Sequence, residues 1–489
     1  MELNHDLCYR ALRTRDPRFD GRFYTGVTST GVYCRPVCPA RTPKSENCRF
    51  YACAAAAEAG GFRPCRRCRP DTVPGTPAWS GTSATVTRAL RLIEQGALDH
   101  AGVEELAARL GVGDRHLRRL FAEHLGTAPL AVAGSRRAHF ARQLLEDTAL
   151  PMGQVALAAG YHNTRRFNAA VRKIFERSPT ELRHGNRLSS PSNGHLVLRL
   201  TYREPLDWTG LLAFLQPRAV PGVERVVEGV YQRSFRHDDT VGTLTLGCDA
   251  RARRVLLRVP VHAAPHLAPL ASRARLLADL DAEPLTIADF LGEQPEVGEA
   301  AMRWPGQRVP GAWDPFETAV RAILGQQVTV AGATRLAGRL VNQCGRPLPG
   351  AAPGEPAFLF PTPAELATHD LSSLGLPSAR AATLTTLAGA VADDPTLLEP
   401  AADLDTAVRR LTALPGIGDW TAQYVAMRAL REPDAFPAGD LVLRKILGGG
   451  DGPLSAAAVT HMARSWRPWR AYAAMLLWRR ASSPDEESA

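Results

Sequence analysis

The sequence predicts a multidomain chain: a small cysteine-rich α+β unit, an all-α unit, and a larger α+β unit with an antiparallel sheet followed by helices. The first reason is length, because 489 residues, at about 150 residues per domain, correspond to roughly three domains. The second is that seven of the nine cysteines lie within the first 68 residues. The third is a change near His195, where helical periodicity gives way to alternating strands.

Composition and charge narrow the function classes. Hydrophobic residues make up 45% and charged residues 22% of the chain, which excludes a mostly disordered, collagenous or coiled-coil protein. There is no run of 18 apolar residues, so no membrane partner is expected. The first 21 residues lack the apolar segment of a signal peptide. We therefore expect a cytoplasmic protein.

The basic excess lies in the first part of the chain. Residues 1–190 contain 29 Lys+Arg and 17 Asp+Glu, a balance of +12, and the remainder contains 30 and 32, a balance of −2. This asymmetry favours a polyanionic partner such as DNA for the first part. On charge alone, ordinary solubility charge explains the excess equally well.

Four cysteines have the spacing of metal ligands. Cys34 and Cys38 form C-x3-C, and Cys65 and Cys68 form C-x2-C after an interval of 26 residues. Two such pairs can meet in a tetrahedral sulfur site, the geometry that zinc prefers. Cys48 and Cys53 lie between the pairs and are alternative ligands on spacing alone. A purely structural zinc site is the plainest interpretation of this pattern.

The surrounding sequence suggests a reactive site. RDPRFDGRFYTGVTSTGVYCRPVCPARTPKSENCRFY and AGGFRPCRRCRPD resemble the N-terminal domain of the bacterial Ada proteins, over about residues 8–75. The resemblance implies one Zn(II) per chain, held by Cys34, Cys38, Cys65 and Cys68. It also implies that a zinc-bound thiolate accepts a methyl group from a DNA methylphosphotriester, with Cys34 at the acceptor position. Cys48 and Cys53 match no ligand of that family.

Zinc-bound thiolates suit this reaction. Four thiolates on Zn(II) carry a formal charge of −2 and form a soft nucleophile. Methylation of one thiolate changes the charge to −1, so affinity for DNA phosphates should rise. No residue suggests a route for demethylation, so the transfer is expected to be stoichiometric. Arginines around the cysteines are candidate phosphate ligands or part of a solvated basic face: Arg35, Arg41, Arg63, Arg66, Arg67 and Arg69.

Two helix-turn-helix patterns follow. In the first, apolar residues recur at helical spacing on both sides of Gly111, and Asp114 is expected to cap the second helix. In the second, the turn is at Gly160, and Thr164 or Asn163 is expected to cap. Both second helices are basic and supply the candidate DNA contacts Arg115, Arg118, Arg119, Arg165 and Arg166. A helical bundle without DNA contact is the alternative.

Two such motifs about 50 residues apart, ending in FERSPTELR, resemble the AraC-type DNA-binding domain, over residues 82–187. In Ada proteins the same pairing implies a transcription factor that methylation activates. RNA polymerase is then a further partner that the sequence leaves open.

The C-terminal part begins with strands. Strand-like runs between residues 195 and 262 predict an antiparallel sheet, and helical patterns dominate from about residue 265. In LPGIG (414–418), Gly416 and Gly418 permit a tight turn before a helix that begins near Asp419. Free amides at such a helix N-terminus bind phosphate without a basic side chain. The turn is therefore a candidate DNA-backbone contact.

The context of this turn carries a third resemblance. WDPFETAVRAILGQQV, LPGIGDWTAQYVAMRAL, FPAGDLVLRK and SWRPWRAYAAMLLW resemble the helix-hairpin-helix glycosylases, most closely the AlkA-type 3-methyladenine DNA glycosylases. This resemblance covers nearly all of residues 195–485. It implies that Asp440 is the catalytic carboxylate and that Trp420, Tyr424 and Trp478 line the base pocket. Core packing is the alternative for these aromatics. A monovalent cation at the hairpin is left open, since the sequence gives no ligand set.

A carboxylate suits the reaction that the resemblance implies. Cleavage of an N-glycosidic bond builds positive charge on the sugar, which Asp440 would stabilise. Bases alkylated on a ring nitrogen, such as 3-methyladenine and 7-methylguanine, are cationic, leave readily and stack on aromatic rings.

Differences from related DNA repair enzymes narrow the range of activities that we expect. Lyases of this superfamily place a nucleophilic lysine where Trp420 stands here, and the four-cysteine iron–sulfur pattern of some relatives is absent. A monofunctional glycosylase is therefore expected. The PCHR motif of O6-alkylguanine repair is also absent.

Gln327 stands where the family inserts an apolar wedge into DNA. A basic cluster is a further candidate DNA contact: Arg464, Arg467, Arg470, Arg479 and Arg480.

The sequence therefore predicts four segments: a zinc-bound α+β methyl-acceptor domain (1–77), an all-α double helix-turn-helix domain (82–187), a sheet subdomain (195–285) and a helix-hairpin-helix core (286–489). We expect the chain to repair alkylated double-stranded DNA and to regulate promoters. The alternative is a methylation-sensing regulator whose glycosylase-like half only binds DNA.

Overall fold

The computed structural model describes residues 3–16, 19–68, 70, 84–183, 194–401 and 403–482. The chain forms two compact units, one of residues 1–203 with 249–272 and the other of residues 204–248 with 273–489. Arg69, residues 71–83 and residues 184–193 lie outside the described residues. Within these limits, no helix is both long enough and apolar enough to cross a bilayer.

The first unit begins with a small mixed sheet. Its strands run in the order β3-β1-β2-β4, with β1 at Tyr24–Val27, β2 at Val32–Cys34, β3 at Cys48–Tyr51 and β4 at Arg63–Pro64. Helix α1 (His5–Thr14) precedes the sheet and α2 (Ala54–Ala59) lies between β3 and β4. Strands β2 and β4 are parallel, so their carboxyl ends meet at one edge of the sheet.

Residues 84–183, which the structure describes, form eight α-helices. They are α3 Ala84–Glu94, α4 Ala97–His100, α5 Val103–Arg109, α6 Asp114–Leu125, α7 Pro129–Asp147, α8 Met152–Ala158, α9 Thr164–Phe175 and α10 Pro179–Arg183. The predicted helix pairs are confirmed as α5–α6 and α8–α9. Leu106, Leu117 and Phe121 are buried in the first pair and Phe167 and Val171 in the second, because their spacing places them on one helix face.

The capping predictions are partly wrong. Gly113, not Asp114, is the N-cap of α6, and Asp114 is instead the first residue of the helix. There the negative charge of its carboxylate interacts favourably with the positive end of the helix dipole. The carboxylate also lies 3.5 Å from the Arg118 guanidinium. In α9, Asn163 is the cap, since its side chain accepts a 2.8 Å hydrogen bond from the Arg166 amide.

The predicted strands between residues 195 and 262 are confirmed. They are β5 His195–Thr201, β6 Glu224–Val227, β7 Val230–His237, β8 Thr240–Asp249 and β9 Arg254–Pro260. β5 pairs antiparallel with β9 in the first unit, whereas β6, β7 and β8 form an antiparallel meander in the second unit. One helix, α11 (Trp208–Leu215), interrupts the strands after β5.

Helices dominate the rest of the chain. They are α12 Leu267–Leu277, α13 Pro284–Gly292, α14 Gly298–Arg303, α15 Pro315–Leu324, α16 Val330–Cys344, α17 Pro363–Thr368, α18 Ser378–Asp393, α19 Leu404–Thr412, α20 Asp419–Arg428, α21 Leu441–Gly448, α22 Ala456–Met462 and α23 Arg470–Ser482. Two short strands that the sequence did not predict, β10 (Arg346–Pro347) and β11 (Phe358–Leu359), pair with each other. In the second unit, α15 packs against α18 and α20.

A buried charge network joins the meander of the second unit to α15. Arg233 of β7 donates to Glu317 of α15 at 2.7 Å, and Arg321 of α15 donates to both Glu224 and Glu317 at 2.7 and 3.0 Å. Arg321 also donates to the carbonyl oxygen of Arg218 at 2.6 Å. Buried charges are stable only when they are paired in this way, so the network fixes the segment after α11 against α15.

Two candidate functional sites

The four predicted metal ligands meet at the carboxyl ends of β2 and β4. Tyr33 is paired with Pro64 in the parallel ladder, so Cys34 and Cys65 follow at adjacent positions. Cys38 and Cys68 return to the same place through the turns after each strand, and Cys38 donates its amide to the Arg35 carbonyl oxygen at 3.1 Å. The four sulfurs lie within 4.8 Å of one another.

The cluster fits a zinc ion. A tetrahedral site with Zn–S bonds of about 2.3 Å places its sulfurs about 3.8 Å apart, within the observed spread. All four cysteines are buried. Cys48 is buried outside the cluster and donates its thiol to the Lys44 carbonyl oxygen. Cys53 donates to the Leu125 carbonyl oxygen, and burial raises its pKa to about 11. Neither of these two thiols competes for the metal.

The four sulfurs differ in their hydrogen bonds. The Arg35 amide donates to the Cys68 sulfur at 3.4 Å. Among the described residues, no backbone amide donates to the Cys34 sulfur. A hydrogen bond withdraws electron density from a thiolate, so the Cys34 sulfur is more electron-rich than that of Cys68.

The arginines near the cluster have different partners. The guanidinium of Arg35 bonds to the Asp20 carboxylate and to the Cys68 carbonyl oxygen, so it is already engaged within the fold. Arg63 lies 2.9 Å from the Glu176 carboxylate. Arg41, Arg66 and Arg67 are exposed. These three remain the candidate phosphate ligands on this surface.

The zinc module contacts the helix-turn-helix segment within the first unit. Tyr33, the residue before Cys34, donates its hydroxyl to Glu58 of α2 at 2.9 Å. The same Glu58 oxygen lies 2.7 Å from Nε2 of His139 on α7. The His139 ring in turn packs edge-on against Phe175 of α9, with ring centroids 5.3 Å apart. A continuous set of contacts therefore connects the cysteine cluster with the second basic helix.

The predicted DNA-contact arginines of the two helix pairs lie on the protein surface. Arg115, Arg118 and Arg119 of α6, and Arg165 and Arg166 of α9, are all exposed. They lie on the helix faces opposite the buried Leu117 and Phe167. Side chains with this placement can enter a DNA groove.

In the second unit, the predicted hairpin joins α19 to α20. Gly416 has φ +85°, and Gly418 is the N-cap of α20. Gly416 and Gly418 are exposed, so the free amides at the start of α20 face the solvent. The predicted turn before a helix N-terminus is present, and its binding of phosphate stays a prediction.

Gly416 also touches α18. A Cβ atom at this position would lie 1.9 Å from the Thr383 hydroxyl oxygen and 2.9 Å from its Cβ. We expect Gly416→Ala to lower the free energy of unfolding by about 1–3 kcal/mol, from this overlap and the left-handed backbone. Gly389→Ala on the same α18 is the control, since it meets open space and should stabilise the helix by about 0.5–1 kcal/mol. Thermal unfolding of both variants measures the difference, and equal stabilities would contradict this packing.

Asp440 occupies the N-cap of α21, where four donors hold its carboxylate. Oδ1 accepts the amides of Val442 and Leu443 at 3.0 and 3.1 Å. The indole Nε1 of Trp478 donates to Oδ1, and that of Trp420 donates to Oδ2, each at 3.1 Å. The carboxylate is therefore fixed in orientation at the positive end of a helix.

Aromatic rings surround this carboxylate. Trp420 and Tyr424 stack with centroids 5.5 Å apart and an interplanar angle of 15°. Trp478 lies 6.2 Å from Tyr424 and stacks on Phe214 of α11 at 6.4 Å. The structure thus brings the three predicted pocket residues together with Asp440. Phe214 is an additional ring, which the sequence analysis missed because nothing local connects α11 with α23.

Arginines near the aromatic rings were also missed. Arg428 donates to the Tyr424 hydroxyl at 2.8 Å, and its guanidinium lies 4.9 Å from the Phe214 ring centroid. Arg218 lies 3.8 Å from the same ring. Burial alone would raise the pKa of Tyr424, but the positive charges of Arg428, Arg218 and Arg321 lower it. The i, i+4 spacing of Phe214 with Arg218 and of Tyr424 with Arg428 was the available signal.

The turn after α15 carries the predicted wedge residue. Gln327 has φ +56° and an exposed side chain, so it is free to reach a ligand. Its neighbour Gln326 donates to the Gly416 carbonyl oxygen and to the Thr421 hydroxyl, both at 3.0 Å. The wedge turn and the hairpin are therefore in contact.

Three of the five arginines in the predicted C-terminal basic cluster have partners within the fold. Arg470 is paired with Asp434 at 2.6 Å and Arg479 with Asp207. Arg480 donates to the carbonyl oxygens of Glu296 and Ile446. These guanidiniums satisfy internal acceptors, which sequence spacing does not reveal. Arg464 is exposed, and Arg467, 59% exposed, pairs with Asp434 at 3.4 Å.

Four family models match the chain. They are the metal-binding domain of Ada (residues 7–71), a helix-turn-helix domain (106–185), the AlkA N-terminal domain (197–314) and the HhH-GPD superfamily of base excision DNA repair proteins (320–451). Their order is the order of the sites described above.

Relatives match the whole chain or its second part. The probable bifunctional transcriptional activator/DNA repair enzyme AlkA of Mycobacterium tuberculosis is 42% identical over 488 residues, 99% of this chain and 98% of the relative. DNA-3-methyladenine glycosylase 2 of Escherichia coli is 34% identical over 57% of this chain and 95% of its own length. A solved 3-methyladenine DNA glycosylase of Archaeoglobus fulgidus shares the fold over 59% of this chain and 99% of its own, with 20% identity and a TM-score of 0.51.

The chain belongs to the family of bifunctional Ada–AlkA proteins, which join a transcriptional activator to a DNA repair enzyme. Its C-terminal part is a DNA glycosylase domain of the AlkA type. Its four-cysteine cluster binds one zinc ion per chain.

Proposed function

We propose that the second unit excises N-alkylated bases, of the 3-methyladenine and 7-methylguanine class, by hydrolysis of the N-glycosidic bond. The observation that carries this proposal is Asp440, a carboxylate held by two indole N–H groups beside stacked aromatic rings. An alkylated cationic base extruded from the duplex would stack on Trp420, Tyr424 and Trp478. The carboxylate would then face the sugar, where positive charge develops.

The geometry supports an unusually direct role for the carboxylate. Four donors already fix Asp440, so little reorganisation is needed when the sugar becomes cationic. Oδ2 accepts only the Trp420 indole among the described hydrogen bonds, and each carboxylate oxygen has about two acceptor positions, so Oδ2 can also accept a hydrogen bond from the attacking water. Gly416 and Gly418 would hold the DNA backbone, and Gln327 would enter the gap left by the base.

We propose that base excision proceeds without strand cleavage. A lyase needs an amine nucleophile, whereas Trp420 occupies the lysine position and its indole is bonded to Asp440. Lys445 is the one lysine of the C-terminal part and lies exposed on α21. The wild-type protein should therefore leave intact strands with abasic sites, and borohydride should trap no covalent complex. Gel analysis before and after alkali measures this, and a trapped adduct would contradict it.

For the first unit, we propose single-turnover methyl transfer from DNA methylphosphotriesters to Cys34. The hydrogen bonding supports Cys34 over Cys68, since the Arg35 amide donates to the Cys68 sulfur and no amide donates to the Cys34 sulfur among the described residues. Bound zinc would keep the thiols ionised. The position of Cys34 at the end of β2 fixes the place of the nucleophilic sulfur. Arg41, Arg66 and Arg67 are exposed for phosphate binding, with Arg63 a further candidate if it leaves Glu176.

Methylation would then activate promoter binding. The loss of one negative charge at the cluster reduces repulsion from DNA phosphates. Contacts from Tyr33 through Glu58 and His139 hold the zinc module beside α7 and α9. Arg115, Arg118, Arg119, Arg165 and Arg166 would read the promoter, and RNA polymerase would be the partner of the activated form.

The domain limits stay a proposal: residues 1–77, 82–187, 195–285 and 286–489. We propose the bacterial cytoplasm, at the nucleoid, as the location of the protein, since DNA would be both its substrate and its promoter target. A monovalent cation at the hairpin would need carbonyl ligands from the turn at 414–418.

A further inference from the structure

The turn between α15 and α16 holds a strained residue at the DNA-facing surface. Gln327 has φ +56°, a conformation that costs about 1–2 kcal/mol for a residue with a side chain. Its neighbour Val328 is 39% exposed. Such a conformation persists only where the surrounding contacts impose it. The contacts of the turn therefore determine how rigidly the backbone holds the Gln327 side chain at the surface.

Most of these contacts come from Gln326. Its side-chain amide donates one hydrogen bond to the Gly416 carbonyl oxygen in the hairpin and one to the Thr421 hydroxyl in α20. Its own carbonyl oxygen accepts a 2.7 Å bond from Arg380 of α18. Both bonds of the amide reach the phosphate-binding hairpin segment, and the backbone is held by the helix against which Gly416 packs.

This arrangement has a mechanical consequence. Extruding a base costs a few kcal/mol of stacking and pairing free energy. A wedge side chain can keep the duplex from closing only if the turn that carries it stays in place. The hairpin is the part of the site that grips the DNA backbone. A polar wedge gains less stacking free energy than an apolar one. A rigidly held turn is therefore more important for base extrusion when residue 327 is glutamine.

We propose that Gln326 is a positioning residue for base extrusion, which locks the turn bearing Gln327 to the phosphate-binding hairpin so that both act on DNA as one rigid body. The inference rests on the proposed glycosylase function. The hydrogen bonds of Gln326 end on Gly416, Thr421 and Arg380 and not on Asp440, so we expect its loss to act through the turn that carries Gln327.

The test compares duplexes that differ only in the need for extrusion. Gln326→Met keeps the length of the side chain and removes both donors. Single-turnover excision of 7-methylguanine opposite cytosine should slow about tenfold, whereas excision opposite an abasic site should stay within about twofold. Gln343→Met is the matched control, because Gln343 makes a similar amide bond, to the Asp370 carbonyl oxygen at 2.6 Å, elsewhere on α16; it should change neither rate.

Gln326→Glu is tested beside it, since it keeps the size of the side chain and also lacks the donors. A loss confined to the paired duplex in either folded variant supports the proposal. An equal loss on both duplexes would show a merely structural role and overturn it, as would an unchanged rate on the paired duplex. A wild-type protein that excises from neither duplex would instead contradict the proposed function.

Discussion

Asp440→Asn is expected to reduce base release from alkylated DNA by at least about a thousandfold, because the transition-state cation loses the counter-charge that Asp440 supplies. The asparagine amide is nearly isosteric with the carboxylate. It can keep the cap on Val442 and Leu443 through its oxygen, but it offers one acceptor where two indoles now donate. Base release is measured by chromatography of the bases freed from methylated duplex DNA.

DNA binding separates loss of chemistry from loss of structure. Affinity for a duplex that contains an abasic site should change little in Asp440→Asn, since the hairpin amides do not involve residue 440. Asp434→Asn is a suitable control, because Asp434 is a carboxylate of the same unit that pairs with Arg470 outside the pocket; it should still release bases. Release that continued in Asp440→Asn would support the alternative of a glycosylase-like half that only binds DNA, or would assign the chemistry to another group.

Cys34→Ala is expected to stop methyl transfer from methylphosphotriesters completely, because the acceptor atom is gone. Three thiolates remain, a ligand number that still holds zinc in many proteins with water in the fourth position. Cys34→Ala should therefore keep its zinc although it no longer accepts methyl groups. The assay follows labelled methyl groups from alkylated DNA onto protein, and mass spectrometry of the wild-type protein locates the methylated cysteine.

The control for this experiment is Cys48→Ala. Cys48 is a buried thiol of the same small domain whose sulfur lies outside the cluster and bonds to the Lys44 carbonyl oxygen. Methyl transfer in this variant should match the wild type. Transfer that persisted in Cys34→Ala, or a methyl group found on Cys38, Cys65 or Cys68, would reassign the acceptor.

The sequence predicted most of what local patterns encode. The two cysteine pairs predicted the cluster because a metal site needs close pairs on separate turns. The helix pairs, the strands and the hairpin followed from periodicity and glycine placement. Asp440 and its aromatic neighbours followed from resemblance, since nothing in the spacing alone joins residue 440 with residue 478.

What the sequence did not predict depends on tertiary contacts. The parallel register that places Cys34 beside Cys65 is one case, and the indole bonds to Asp440 are another. Charged side chains misled the sequence analysis most. Arg35 and Arg470 resemble phosphate ligands in the sequence, yet each is bonded to an aspartate of the fold. A guanidinium has no sequence signature for its partner, because any nearby carboxylate or carbonyl group satisfies it.

Base release from a panel of alkylated duplexes, with the wild type and Asp440→Asn side by side, tests the central claim most directly. The wild type is expected to free 3-methyladenine and 7-methylguanine and to leave abasic sites, while the variant frees neither at a measurable rate. If the folded, zinc-loaded wild-type protein freed no base from any duplex, the assignment of Asp440 and its aromatic pocket to base excision would be wrong.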